Sequence, residues 1–232
     1  MGHIATVSLL TMFGVSLLSA RPPHGNLEPA EVVDTQQQIF NSGGLLEITD
    51  SYGDMDIVGW DQPEIEIVVT KSTNRRYSPA ELDRAIAALD RIVITAEERT
   101  VDHLLIRTAF PSRTAMRPVH GKSHVHLSYT IRVPRQTRLL VKHDMGELRV
   151  HDVTASMLLS NRVGDIIVSL PENERYTIDA KAKIGGVNSE WPPPEELADD
   201  GAAPHQLQLR VGVGAITVKK SPAPVETPVD DD

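Results

Sequence analysis

Apolar and polar residues alternate with a period of two along much of the chain. A strand sends successive side chains to opposite faces, so a half-buried strand reads this way. Over 124–133 the apolar set is Val125, Leu127, Tyr129, Ile131 and Val133. Over 64–70 it is Ile65, Ile67 and Val69; over 176–182, Tyr176, Ile178, Ala180 and Ala182; over 207–213, Leu207, Leu209, Val211 and Val213. Shorter pieces at Leu46/Ile48, Met55/Ile57, Ile92/Ile94, Leu104/Ile106, Leu148/Val150, Ile166/Val168 and Ile216/Val218 bring the expected total to roughly a dozen strands. One stretch has the helical period instead. Ser78-Pro79-Ala80-Glu81 has the spacing of a capping box with Pro at the first helical position. Leu82, Ala85, Ile86 and Leu89 then share one face. This predicts a short helix over 79–90, inserted between strands.

A second pattern recurs: a Gly, usually an acidic or small residue, then an apolar–polar–apolar strand start. It stands at Gly53-Asp54-Met55-Asp56-Ile57, Gly146-Glu147-Leu148-Arg149-Val150, Gly164-Asp165-Ile166-Ile167-Val168, Gly185-Gly186-Val187-Asn188 and Gly214-Ala215-Ile216-Thr217-Val218. Gly supplies the positive φ of a tight turn between strands. Units of two short strands repeating near every 20 residues stack and share a core, with their Gly turns aligned along one corner. Aromatic residues are only 4% of the chain, so that core is built from Val, Ile, Leu and Ala, which suits thin regular stacks. The expected fold is all-β: a β-solenoid-like stack of the single-stranded right-handed β-helix type, alternatively a β-sandwich, with one inserted helix.

With these units in view, 139–190 resembles the bacterial putative-adhesin domain family of unknown function, whose members repeat a strand–Gly–strand unit. Residues 52–70 are similar to that family's N-terminal unit, and the resemblance spans about 43–219. It implies architecture and an exported, envelope-related setting. It implies no catalytic residue and no cofactor. The helix at 79–90 and a Pro-rich loop at 189–205 depart from the simplest repeat.

The flanks read differently. Residues 4–20 are uncharged and end in Leu18-Ser19-Ala20, followed by Arg21-Pro22-Pro23. This apolar stretch of 17 residues falls short of the ~20 of a membrane span, so 1–20 is expected to be a cleaved signal peptide. The segment before it carries His3 but no Lys or Arg, and an uncleaved anchor is the competing reading. Residues 21–42 are expected to form a polar leader and 220–232 a disordered acidic tail. The absence of Cys excludes disulfides, thiol catalysis and lipid attachment at a cleavage-site Cys.

The net charge of −9 argues against nucleic acid as a partner. The charge is unevenly spread. Residues 43–70 hold seven acidic residues and no Lys or Arg, whereas 99–149 hold ten basic residues against three acidic ones. The expectation is two faces of opposite sign, the basic one able to meet an anionic envelope polymer. Arg113, Arg117 and Lys122, in a loop with two prolines, are candidate contacts to an anionic ligand.

Three constellations have the residue types for other chemistry. His120, His124 and His126 could hold a transition metal, with His124 and His126 on one strand face, but no carboxylate is spaced in sequence to complete the set. Asp50, Asp54 and Asp56 surround the first Gly turn but lack the ligand order of a calcium loop. Asp144 and Glu147 are the nearest paired carboxylates in a unit, yet they flank a turn instead of sharing a face. No Gly-x-Ser-x-Gly elbow, phosphate loop or dinucleotide motif is present.

The functional expectation is an exported, non-catalytic binding or structural module of the cell envelope. Its partner would be an envelope polymer, another envelope protein or, through strand edges, a second copy. A membrane-anchored scaffold or regulatory partner in envelope-stress signalling, and a polysaccharide-acting β-helix enzyme, are the alternatives.

Overall fold

The structure is a computed structural model and describes residues 27–111, 124–191 and 204–221. The apolar segment 4–20, most of the Pro-rich loop and most of the acidic tail lie outside the described residues. Among the described residues no helix is long and apolar enough to cross a membrane.

The chain is all-β, with fifteen described strands and one helix. In order they are β1 (Glu28–Ile39), β2 (Leu45–Tyr52), β3 (Asp54–Trp60), β4 (Glu64–Tyr77), α1 (Pro79–Leu89), β5 (Val93–Thr100), β6 (His103–Ala109) and β7 (Val125–Pro134). Then come β8 (Arg138–Met145), β9 (Leu148–His151), β10 (Met157–Val163), β11 (Ile166–Pro171), β12 (Tyr176–Ile184), β13 (Val187–Ser189), β14 (His205–Val213) and β15 (Ile216–Ser221). They form two open, mixed sheets. The first runs β1-β4-β7-β3-β9-β11-β15-β13 and the second β12-β14-β10-β8-β2-β6-β5. One buried cluster draws side chains from both, including Ile57, Val150 and Val168 from the first and Ile48, Val141 and Leu159 from the second. The sheets therefore face each other across a shared core. Thr108 on β6 and Tyr129 on β7 bridge it with a 2.8 Å hydrogen bond, and burial pushes the Tyr129 phenol up to about 12.

Each Gly-centred unit sends its first strand to the second sheet and its second strand to the first. The units meet through parallel pairs, such as β8–β10 and β10–β14 in one sheet and β9–β11 and β11–β15 in the other. The Gly turns align along one corner. Gly146 has φ +123°, and a Cβ there would lie 2.1 Å from the Gly53 carbonyl oxygen. Gly164 has φ +122° and stands in the same relation to Gly146. Gly214 stacks on Gly164, and Gly185 on Gly214. Two constraints coincide here: a left-handed backbone and a close approach of the next turn, and only Gly meets both. Each turn is tied to its neighbour by backbone bonds, Gly146 N–H to Val163 O at 3.1 Å and Gly164 N–H to Val213 O at 2.8 Å. The acidic residue after the Gly has a function in this ladder. Asp54 Oδ1 accepts from the Glu147 amide at 3.0 Å, and Asp165 Oδ1 from the Ala215 amide at 2.7 Å.

The order of the units differs from their order in sequence. The final unit, β14/β15, lies between β10/β11 and β12/β13. The fifteen residues between Ser189 and His205 give the chain the length to return to that slot.

The expected polar leader 21–42 contains β1, a twelve-residue strand paired antiparallel with β4. It escaped the apolar pattern because it is an edge strand whose inward positions are partly polar. Asp34 pairs with Lys71 Nζ at 2.5 Å and Gln36 Nε2 donates to the Ile94 carbonyl at 3.0 Å. Lys71 is 2% exposed and also donates to the Ile92 carbonyl at 2.7 Å. The helix matches its expectation to within one residue. α1 joins β4 in one sheet to β5 in the other, packs on β1 and β4, and buries Ala85, Ala88 and Leu89. Its capping residues bond each other instead of the backbone: Ser78 Oγ donates to Glu81 Oε2 at 3.2 Å and caps no backbone amide.

Candidate functional site

The outer face of the second sheet carries an open groove of about 500 Å³. Its lining includes Lys142, Arg162, Lys183 and Arg210, against the carboxylates of Asp50 and Asp144. The four cations come from β8, β10, β12 and β14, adjacent strands of the parallel region, and Asp50 from β2 beside them. Pairing register places Lys142, Ser160, Arg210 and Lys181 side by side in one outward row. Each stands four residues before the Gly of its unit, at Gly146, Gly164, Gly214 and Gly185. Strands lie roughly 4.8 Å apart, so the row samples one position per unit along the stack. Two residues further on, Asp144, Arg162, Gly212 and Lys183 hold the second row.

The charges differ in their commitments. Arg162 lies 3.4 Å from Asp144. Arg210 bonds the Asp179 carboxylate and donates to the Asp179 carbonyl at 2.7 Å. Its guanidinium holds Asp179 below the usual carboxylate range. Lys142 and Lys183 are exposed and have no ion-pair partner among the described residues. Between them Gly212 leaves the floor bare, and a Cβ there would lie 2.4 Å from the Arg162 carbonyl oxygen.

Behind this face is a buried polar row. Ser51 Oγ and His143 Nδ1 lie 2.7 Å apart, and Asn161 Nδ2 donates to the Gly146 carbonyl at 2.8 Å. All three occupy the inward position next to the Gly corner. A bulge in β2, with Asp50 at φ +56°, shifts the phase by one and turns Ser51 instead of Asp50 inward. A Ser–His contact has the elements of a nucleophile and its base. Here Ser51 is 1% and His143 3% exposed, so the pair belongs to the core. Burial pushes the His143 imidazole below its ordinary 6.5, opposed by the nearby Gly53 and Met145 carbonyls and by Asp144 and Asp54.

The residues singled out from the sequence are dispersed. Arg113, Arg117, His120 and Lys122 lie outside the described residues. His126 on β7 is not grouped with metal ligands but faces Asp54 Oδ2 at 3.6 Å, a carboxylate that sequence spacing did not reveal. Among the described residues no three His, Asp or Glu side chains converge on a cation site. Asp50 rims the groove on the second sheet, whereas Asp54 and Asp56 start β3 on the first, with Asp56 at 3.3 Å from His151. Asp144 lies on β8 of the second sheet and Glu147 in the turn before β9 of the first, Asp144 against Arg162 and Glu147 at 2.5 Å from Arg149.

The two expected faces of opposite charge do not form. From β6 onward consecutive strands go to alternate sheets, so the basic segment is divided between them, and strand pairing brings acidic and basic segments together. Glu66 meets Arg132, Asp61 meets Arg135 at 2.6 Å, and Glu47 meets His103 at 3.0 Å. The Arg135 guanidinium accordingly lowers the Asp61 pKa.

No family model and no curated protein matches the chain. Among solved structures, it is similar to one described as a putative cell adhesion protein from Clostridium sporogenes, at 14% identity and a TM-score of 0.52, over 84% of this chain and all of that one. A putative adhesin from Bacteroides fragilis aligns over the same share of this chain and all of its own length, at 9% identity and a TM-score of 0.32. The chain therefore shares the fold of the Clostridium sporogenes protein, in keeping with the resemblance carried by the Gly-centred units.

Proposed function

We propose that the protein is an exported, non-catalytic binding module of the bacterial cell envelope, built as a solenoid-like stack, whose partner is an envelope polymer. The observation that carries this reading is the open basic groove on the outer face of the second sheet: a shallow surface suits an extended partner better than a small substrate. The fold shared with the Clostridium sporogenes protein supports it. Export rests on the apolar segment 4–20 and the Arg21-Pro22-Pro23 that follows. The burial of Ser51 and His143 and the separation of Asp144 from Glu147 weigh against hydrolysis by either pair.

Co-sedimentation of the purified protein with peptidoglycan, lipopolysaccharide and whole cells, at low and high salt, tests the reading. Pelleting with at least one fraction, weakened by salt, is the expected result. A protein that stays in the supernatant with every fraction would overturn it.

A further inference from the structure

The groove has features that narrow its ligand. Its two uncommitted ammonium groups, Lys142 on β8 and Lys183 on β12, lie three strand spacings apart, about 14 Å along the stack. Arg162 and Arg210 fill the interval, each already held by a carboxylate. The bare floor at Gly212 is enforced by the backbone, because any side chain there meets the Arg162 carbonyl. Beside the basic row runs another outward row, in which register aligns Leu140, Leu158 and Gln208 between Glu47 and Asp179, whose carboxylates are held by His103 and Arg210. Leu158 is 40% exposed. Positive charge, exposed apolar carbon and a side-chain amide thus lie within two neighbouring rows.

We propose that this groove binds an anionic polysaccharide, laid across the strands from β8 to β12, with acidic groups at Lys142 and Lys183. Sugar rings offer apolar C–H faces to Leu140 and Leu158 and hydroxyls to Gln208, while their carboxylates or phosphates meet the ammonium groups. A nucleic acid fits less well. Among the described residues the groove lining holds no Phe, Tyr or Trp side chain for base stacking. A lipid surface also fits less well, since isolated leucines replace the continuous apolar face that such binding uses. The proposal rests on the envelope-binding reading and specifies its ligand and its surface.

The test is equilibrium binding of the purified protein to polygalacturonate, to phosphorylated dextran and to neutral dextran, with phosphatidylglycerol vesicles and duplex DNA in parallel. The double variant Lys142→Gln/Lys183→Gln is compared with Lys219→Glu, which changes net charge equally but sits on β15 of the other sheet. Binding to one or both anionic glycans and not to dextran is expected, with about tenfold or greater loss in the double variant and less than about twofold in Lys219→Glu. The preferred glycan distinguishes carboxylate from phosphate. Equal losses in both variants, an unaffected double variant, or retention only by vesicles or DNA would overturn the proposal. If the protein pellets with an envelope fraction but ignores every soluble glycan, the envelope reading stands and the glycan groove falls. Binding to nothing at all sinks both.

Discussion

The two ends of the molecule are held in different ways. At one end β1 pairs antiparallel with β4 and β5 with β6, and α1 packs on β1 and β4, with Ala85 and Leu89 fully buried and Lys71 clasped by Asp34 and the Ile92 carbonyl. The Gly-centred units run toward the other end, where β12/β13 is last in line and leaves Ile184 62% and Val187 47% exposed. The antiparallel end is a matter of side-chain fit. The parallel units depend on backbone passing close to backbone at the corner. Each region should therefore fail to a different kind of substitution.

The largest effect is expected at the corner. Gly164→Ala must relieve a positive φ and a 2.1 Å approach to the Gly146 carbonyl together, and should cost about 4 kcal/mol or more in urea unfolding. Leu89→Ala at the helical end should cost about 3 kcal/mol, and Ile184→Ala at the open end less than about 0.5. Should Gly164→Ala prove milder than Leu89→Ala, the contrast between backbone and side-chain fit is broken. Lys71→Met removes a buried cation along with its partner contacts and leaves Asp34 half-exposed, so about 2 kcal/mol is expected from the same assay.

A smaller effect concerns pH. The folded pKa of His143 lies below 6.5, so the unfolded chain takes up more protons as pH falls. Stability from this residue is complete above about pH 6.5 and is lost as pH falls toward the folded value. Urea unfolding should therefore show stability falling between pH 7.5 and 5.5. His143→Asn repeats the residue found at the equivalent position of the next unit, Asn161, and should fold with a flatter dependence over that interval. An undiminished slope in the variant would assign the effect to another group. The smallest change is expected at Gly186→Ala. No heavy atom lies within 4 Å of a Cβ there, so stability should stay within about 0.5 kcal/mol of the parent, although Gly185 beside it is locked.

Much of this architecture is legible in the chain. Alternation locates most strands because burial on one face imposes a period of two. The Gly-centred repeat announces the corner because left-handed backbone under close contact admits only Gly. The helix shows through its apolar stripe and Pro79. β1 is hidden because its inward side chains, Asp34 and Gln36, satisfy polar partners. The groove is hidden for another reason: Lys142, Arg162, Lys183 and Arg210 are scattered over some seventy positions. Lined up on the Gly of each unit, Lys142, Lys181 and Arg210 share one phase, a signal that a charge count along a window averages away.

By itself, then, the sequence determined what most segments become, strand, turn or helix, and which side chains face inward, with β1 and the bulge of β2 as the exceptions. Those properties follow from local periodicity and from steric limits on single residues. Only the tertiary structure decided which segments are neighbours. It slots β14/β15 between β10/β11 and β12/β13, so that β12 reaches the rest of its sheet through β14 alone. It also turns a basic segment and an acidic segment into paired charges and gathers four distant cations at one groove. Strand neighbours are chosen by the summed burial and hydrogen bonding of the whole stack, and parallel strands with nearly identical patterns carry no local mark of which partner that sum will favour.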